Sequence, residues 1–234
     1  MRIGVILPTF ARRIEPALAR AHEAEARGIH GVFCYDHLWP MGAPGKPALA
    51  PFPFLGRLSA ETTALRLGTL VARVGLVPDH VLVGEFRTLA ALSGNRVVAA
   101  LGTGDRMSAQ ENLAYGIGFT PPAHRRASLE KVARALVGEG IEVWIGAGAK
   151  PTDAIAWTSG ATLNAFDAEV ATIADHARRG PVSWAGSLPR GATEATALLR
   201  ALSSAGATWA VVGSNNPIKE IASAAASAGV RLEP

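Results

Sequence analysis

The chain has 234 residues, of which 49 % are apolar and 18 % charged, with a formal net charge of +4. That length suits one large α/β domain, and the apolar content excludes a disordered chain. Basic residues are spread over predicted helices, with no Lys/Arg run interleaved with aromatics, so nucleic acid is not an expected partner.

The chain opens on a short apolar strand, residues 2–7, that ends at Pro8. It is too short for a signal peptide or a membrane span, so a cytoplasmic protein with no membrane partner is expected. A helix over 13–27 follows and stops at Gly28. The second strand, 30–35, carries the single cysteine, Cys34, which offers neither an internal disulfide nor a metal cluster. Pro40, Pro44, Pro47, Pro51 and Pro53 then mark a loop over one end of the fold, followed by a helix to about residue 65.

The third strand covers 66–73 and its helix 80–93, closed by Gly94 and Asn95. The fourth strand, 96–101, runs into the turn GTGD and a polar stretch, 106–112. A helix over 123–137 leads almost directly through Gly138, Glu139 and Gly140 into the fifth strand, 141–145. After GAGAKPTD and a short helix comes the sixth strand, 161–166, with Asp167 as the expected cap of the next helix. The seventh strand is 181–185 with a helix over 193–204. The eighth is 208–212 with a helix over 217–228.

Eight strand–helix units imply a parallel sheet with helical crossovers. In 234 residues they make a compact single-domain (β/α)₈ TIM barrel over 1–234, with a doubly wound open sheet as the alternative. A barrel of this kind places its site at the C-terminal strand ends. Those positions hold Thr9 and Phe10, then Asp36, His37 and Trp39, then Gly102, Thr103, Gly104 and Asp105. Further on come Gly146 and Gly148, Gly186 and Ser187, and Gly213 to Asn216.

His37 is suited to proton exchange near neutral pH, or to bracing the loop. Trp39 offers a flat apolar wall or plain packing. Asp105 is suited to bonding a ligand or to capping a short helix. The glycine turns after strands five, seven and eight expose N–H groups that can seat a phosphate, or serve only as tight turns. The other histidines lack metal-ligand spacing, and no metal is expected.

Four segments together resemble the luciferase-like flavin- and deazaflavin-dependent oxidoreductases. They are GVFCYDHLWP (31–40), RLGTLVARV (66–74), HVLVGEFRTLAALSGNRVVAALGTGD (80–105) and EVWIGAGA (142–149). The resemblance is strong over 1–150 and weak beyond. It implies the same barrel, a flavoprotein-like site for FMN or coenzyme F-420, and hydride transfer or monooxygenation of a small organic substrate. The alanine- and arginine-rich composition tilts the cofactor toward F-420.

By position it implies catalytic roles for His37 and Asp105. It implies cofactor contacts for Asp36, for Leu70 and Val71 at a cis peptide, for Thr103, and for the phosphate turn Gly146, Ala147 and Gly148. Two departures stand out. Asp105 and Ser108 replace the Glu and Asn of some deazaflavin members. The usual insertion before strand five is missing, which leaves the pocket open unless a second copy, in a homodimer, covers it. Two other readings remain: a degenerate cofactor-binding protein without turnover, and an unrelated phosphosugar barrel enzyme.

Overall fold

The computed structural model describes residues 1–40 and 42–232. Met41 of the proline-rich segment and positions 233 and 234 lie outside the described residues.

The elements alternate along the chain. The first half comprises β1 (Arg2–Ile6), α1 (Glu15–Ala26), β2 (Gly31–Cys34), α2 (Pro51–Glu61), β3 (Arg66–Thr69), β4 (Ala72–Arg73), α3 (Asp79–Ser93), β5 (Val97–Gly102) and α4 (Arg106–Ala114). The second comprises α5 (Pro122–Gly138), β6 (Glu142–Gly146), α6 (Lys150–Ser159), β7 (Thr162–Phe166), α7 (Val170–Ala177), β8 (Val182–Gly186), α8 (Ala192–Ser204), β9 (Ala207–Val212) and α9 (Ile218–Ser227).

All strand pairs are parallel, in the order β3-β2-β1-β9-β8-β7-β6-β5-β4. Pairing of β3 with β5, Leu67 opposite Val97 and Gly68 opposite Val98, closes the sheet into a barrel. β4 also pairs with β5. β3 and β4 are therefore two pieces of one barrel position, and the expected eight-stranded (β/α)₈ barrel is what forms.

Strands buried on both faces read as continuous apolar runs, which is why they were legible. Side chains alternate. Ile3 and Val5 face the helices, whereas Ile6 joins the barrel interior with Phe33, Val98, Trp144, Trp209 and Val211. Three aromatic rings fill that interior, with Phe33–Trp144 centroids 5.1 Å apart and Trp144–Trp209 centroids 5.5 Å apart. They fit because facing positions lack side chains: a Cβ on Gly4 would stand 2.6 Å from Phe33, and one on Gly68 2.7 Å.

Four local readings need correction. α2 ends at Glu61, not near 65. The Arg96 guanidinium bonds the carbonyls of Ser59, Thr62 and Leu65, while Glu25 takes the Thr63 and Ala64 N–H groups. The freed backbone is satisfied by side chains, so the helix need not continue. Pro51 and Pro53, read as loop, sit in the first turn of α2, where a missing N–H costs nothing. Asp167 is no cap: it lies at φ +52°, and Glu169 precedes α7. Finally, 106–112 is not a mere polar stretch but the helix α4.

Candidate active site

The C-terminal strand ends form a mouth with two unlike halves. On one side β5, β6 and β8 end in Gly102, Gly146 and Gly186, and Gly213 follows β9. Only hydrogen atoms project there. Val71, between β3 and β4, packs on the interior cluster together with Tyr35. A Cβ on Gly102 would stand 2.5 Å from Val71 Cγ2, and one on Gly146 3.5 Å from Val71 Cγ1. The Leu70–Val71 peptide is cis, where the resemblance placed it. The Val71 side chain thus lies over the bare backbone of Gly102 and Gly146, in the space their Cβ atoms would take, and makes a small apolar platform with it.

The other half, after β1 and β2, is aromatic. Phe10 and Tyr35 stack at 5.2 Å with planes 8° apart, and His37 lies 6.4 Å from Tyr35. Burial pushes the Tyr35 phenol up, so it keeps its proton at neutral pH. Trp39 is buried and packs against Tyr115 at 5.6 Å, its packing role rather than an open wall.

Behind this wall lies a buried charge network. His37 Nδ1 is 2.7 Å from Glu111 Oε1, and Glu111 Oε2 accepts from the Leu38 N–H at 3.1 Å and from Arg73 Nη2 at 2.8 Å. Arg73 in turn donates its backbone N–H to Asp36 Oδ2 at 3.0 Å and its Nε–H to the Asp36 carbonyl at 2.9 Å. Asp36 therefore braces the loop and faces Arg73. Burial pushes its carboxyl up, against the hydrogen bond from the Arg73 N–H and the Arg73 charge.

Asp105 caps α4. Its Oδ1 accepts from the Ser108 N–H at 2.9 Å and the Ser108 hydroxyl at 3.0 Å, and Ser108 Oγ accepts the Asp105 N–H. Burial raises its carboxyl, but the Ser108 and Met107 hydrogen bonds together outweigh burial and hold it below the usual aspartate range. The group is an ionised cap, ill-suited to give up a proton. Thr103 is half-buried at the same turn, its carbonyl taken by Arg125.

The turn after β6 is more closed than its glycines suggest. The Ala147 N–H bonds the Asn164 carbonyl at 2.7 Å, and the Gly148 N–H bonds Asp153 Oδ1 at 2.9 Å. An anion at Gly146–Gly148 meets two N–H groups already taken and a carboxylate beside them.

The structure thus brings Asp36, His37, Asp105, Leu70, Val71, Thr103 and Gly146 to one mouth. It adds Arg73, Glu111 and Asn112, which sequence reasoning passed over. The short helix that Asp105 is suited to cap is α4, and the Asp-x-x-Ser spacing at 105–108 forms a reciprocal capping arrangement. Among the described residues, no cluster of His, Cys, Asp and Glu is arranged to hold a metal.

These features define the class: a closed parallel (β/α)₈ barrel with Val71 over bare glycine backbone, and a histidine, at its C-terminal strand ends. A family profile described as luciferase-like monooxygenase matches residues 1–233, and the chain belongs to that family.

Among curated proteins, an F420-dependent glucose-6-phosphate dehydrogenase of Nakamurella multipartita is 30 % identical over 124 residues, 53 % of this chain and 34 % of that protein. The match spans only about a third of that relative's length. Among solved structures, an F420-dependent secondary alcohol dehydrogenase in complex with an F420-acetone adduct superposes with a TM-score of 0.77 at 13 % identity, over 97 % of this chain and 98 % of that one. Monooxygenase RslO1 from Streptomyces bottropensis gives 0.73 at 12 % identity, over 95 % of both chains. At such identities these two likenesses concern the fold.

Proposed function

We propose that the chain is an oxidoreductase that holds coenzyme F-420 or FMN on the Val71–Gly102–Gly146 platform, with F-420 favoured, and acts on a small organic substrate. The observation that carries this reading is that Val71 with its bare glycines and His37 stand at the same C-terminal strand ends of one barrel. The bound cofactor supplies a hydride acceptor or donor. The chain supplies the rest: Val71 and the glycines seat the ring, and Phe10 and Tyr35 wall the substrate side. His37 exchanges a proton with the substrate. Names of the relatives support F-420, while monooxygenase RslO1 shows that the fold also serves oxygen chemistry elsewhere.

Separate titrations of FMN and F-420, followed by cofactor fluorescence and melting temperature, test the reading. Binding of one, with His37→Ala losing turnover far more than affinity, supports it. No binding of either near millimolar concentration defeats it.

A second reading, a cofactor-binding protein without turnover, draws on Asp105, which is engaged as a helix cap, and on the occupied N–H groups of the β6 turn. Substrate-dependent reoxidation of bound cofactor decides against it. No helix among the described residues is long and apolar enough to cross a membrane. The proposal extends to a cytoplasmic protein, with Cys34 buried and reduced, and to a homodimer whose second copy covers the mouth. Light scattering checks the latter.

A further inference from the structure

Three consecutive residues at the mouth are tied to two charged side chains from elsewhere in the chain. Asp36 holds Arg73 through both its carboxylate and its carbonyl, while His37 and Leu38 each bond Glu111. Glu111 and Arg73 meet at 2.8 Å, with side chains 1 % and 5 % exposed. Balancing the Arg73 charge takes only Oε2. The other oxygen, Oε1, is committed to His37.

A carboxylate has no hydrogen to give, so Nδ1 must be the donor in the 2.7 Å contact. In the neutral ring the remaining lone pair is then on Nε2, which has no protein partner among the described residues. The Leu38 N–H on the same carboxylate fixes the peptide that follows His37, and with it the direction of the ring.

We infer that Glu111 is a positioning residue that locks His37 as the Nδ1–H tautomer, making Nε2 the atom that accepts a substrate proton. This inference rests on the proposed oxidoreductase reading. Were the substrate an alcohol, Nε2 would take its hydroxyl proton while the carbon gives its hydride to the bound cofactor and the C=O bond forms. The resulting imidazolium charge faces Glu111. Carbonyl reduction runs the same transfers backward, with Nε2–H as the proton donor.

Glu111→Gln gives the test a direction. The Leu38 N–H and Arg73 Nη2 are both donors, so they hold the glutamine oxygen on their side. The amide NH₂ is then turned to Nδ1, which must accept. The variant should therefore carry the Nε2–H tautomer, unable to take a proton.

The experiment is long-range ¹H–¹⁵N NMR of the His37 ring in the full chain without cofactor, paired with alcohol-oxidation kinetics. The expected result is an Nδ1–H pattern in the native chain and an Nε2–H pattern in E111Q. Loss of kcat should be about 10²-fold or more, the usual worth of a positioned acid–base group, with KM and cofactor affinity near native. The same tautomer in both proteins overturns the inference. So does a flipped tautomer with unchanged kcat.

Should E111Q fail to fold, R73M/E111M removes the buried pair together, a change often tolerated. Retention of the native Nδ1–H pattern in that variant likewise overturns the inference. A native chain that binds no cofactor and oxidises nothing defeats the oxidoreductase reading alone, because the ring's tautomer is read without either.

Discussion

Val71 and Gly102 occupy one space between them: a Cβ on Gly102 would stand 2.5 Å from Val71 Cγ2. The platform exists only while position 102 has no side chain. Gly102→Ala should push Val71 off the floor, weaken binding of FMN or F-420, and cost about 1–3 kcal/mol as overpacking. Val71→Ala in the same chain should restore stability, because the clashing atoms are gone. Denaturant unfolding and cofactor titration on the single and double variants check both parts.

The barrel interior offers a parallel case without the site. A Cβ on Gly68 would lie 2.7 Å from Phe33 and 2.8 Å from the Val98 carbonyl. Gly68→Ala should destabilise by about 1–3 kcal/mol. Phe33→Leu should relieve only part of this, since the Val98 backbone cannot move aside. A double-variant unfolding cycle measures the residue of strain left.

Asp105 sets a pH dependence whose sign follows from its hydrogen bonds. Its carboxyl titrates below the ordinary 3.8 in the folded chain. The stability it adds is therefore full above that value and is lost as pH falls through the lower folded value. Asp105→Ala should cost about 1 kcal/mol at neutral pH, the usual worth of an N-cap. The gap between variant and native melting temperatures should close as the pH drops below about 3.8. A gap that stays constant down to that acid range would refute the assignment. Asp36, whose carboxyl burial raises, contributes with the opposite sign.

Asp153 bears on the phosphate turn. Its carboxylate takes the Gly148 N–H that an anion would need. If the cofactor phosphate seats there, Asp153→Asn removes a like charge and should tighten FMN or F-420 severalfold, about 1 kcal/mol. An unchanged Kd would place the phosphate at another strand end.

Most of the fold was readable because the barrel strands are buried on both faces and appear as apolar runs between helix-length periodic segments. α4 was legible only as one of two readings of Asp105, as the short helix it could cap, for a physical reason. Its buried residues are Ser108, Glu111 and Asn112, so the side that faces the protein is polar and no apolar stripe marks it. The Asp167 cap failed because capping chemistry tells that a helix starts nearby, not which residue begins it. His37 and Asp36 could be placed at the C-terminal end of the barrel because they follow β2, a position set by the chain's own order.

The sequence by itself determined the eight strand–helix units, the end of the barrel where a site is expected, and the segments at 31–40, 66–74 and 80–105 that carry the family resemblance. These depend on local pattern and on chain order. The tertiary structure alone decided that Glu111 reaches His37 across 74 residues, and that Arg73 turns toward Asp36. It also decided that Asp105 and Gly148 have their hydrogen bonds met within the chain. Hydrogen-bond partners are chosen by distance and direction in three dimensions, and no spacing along a chain encodes which buried donor a carboxylate will meet.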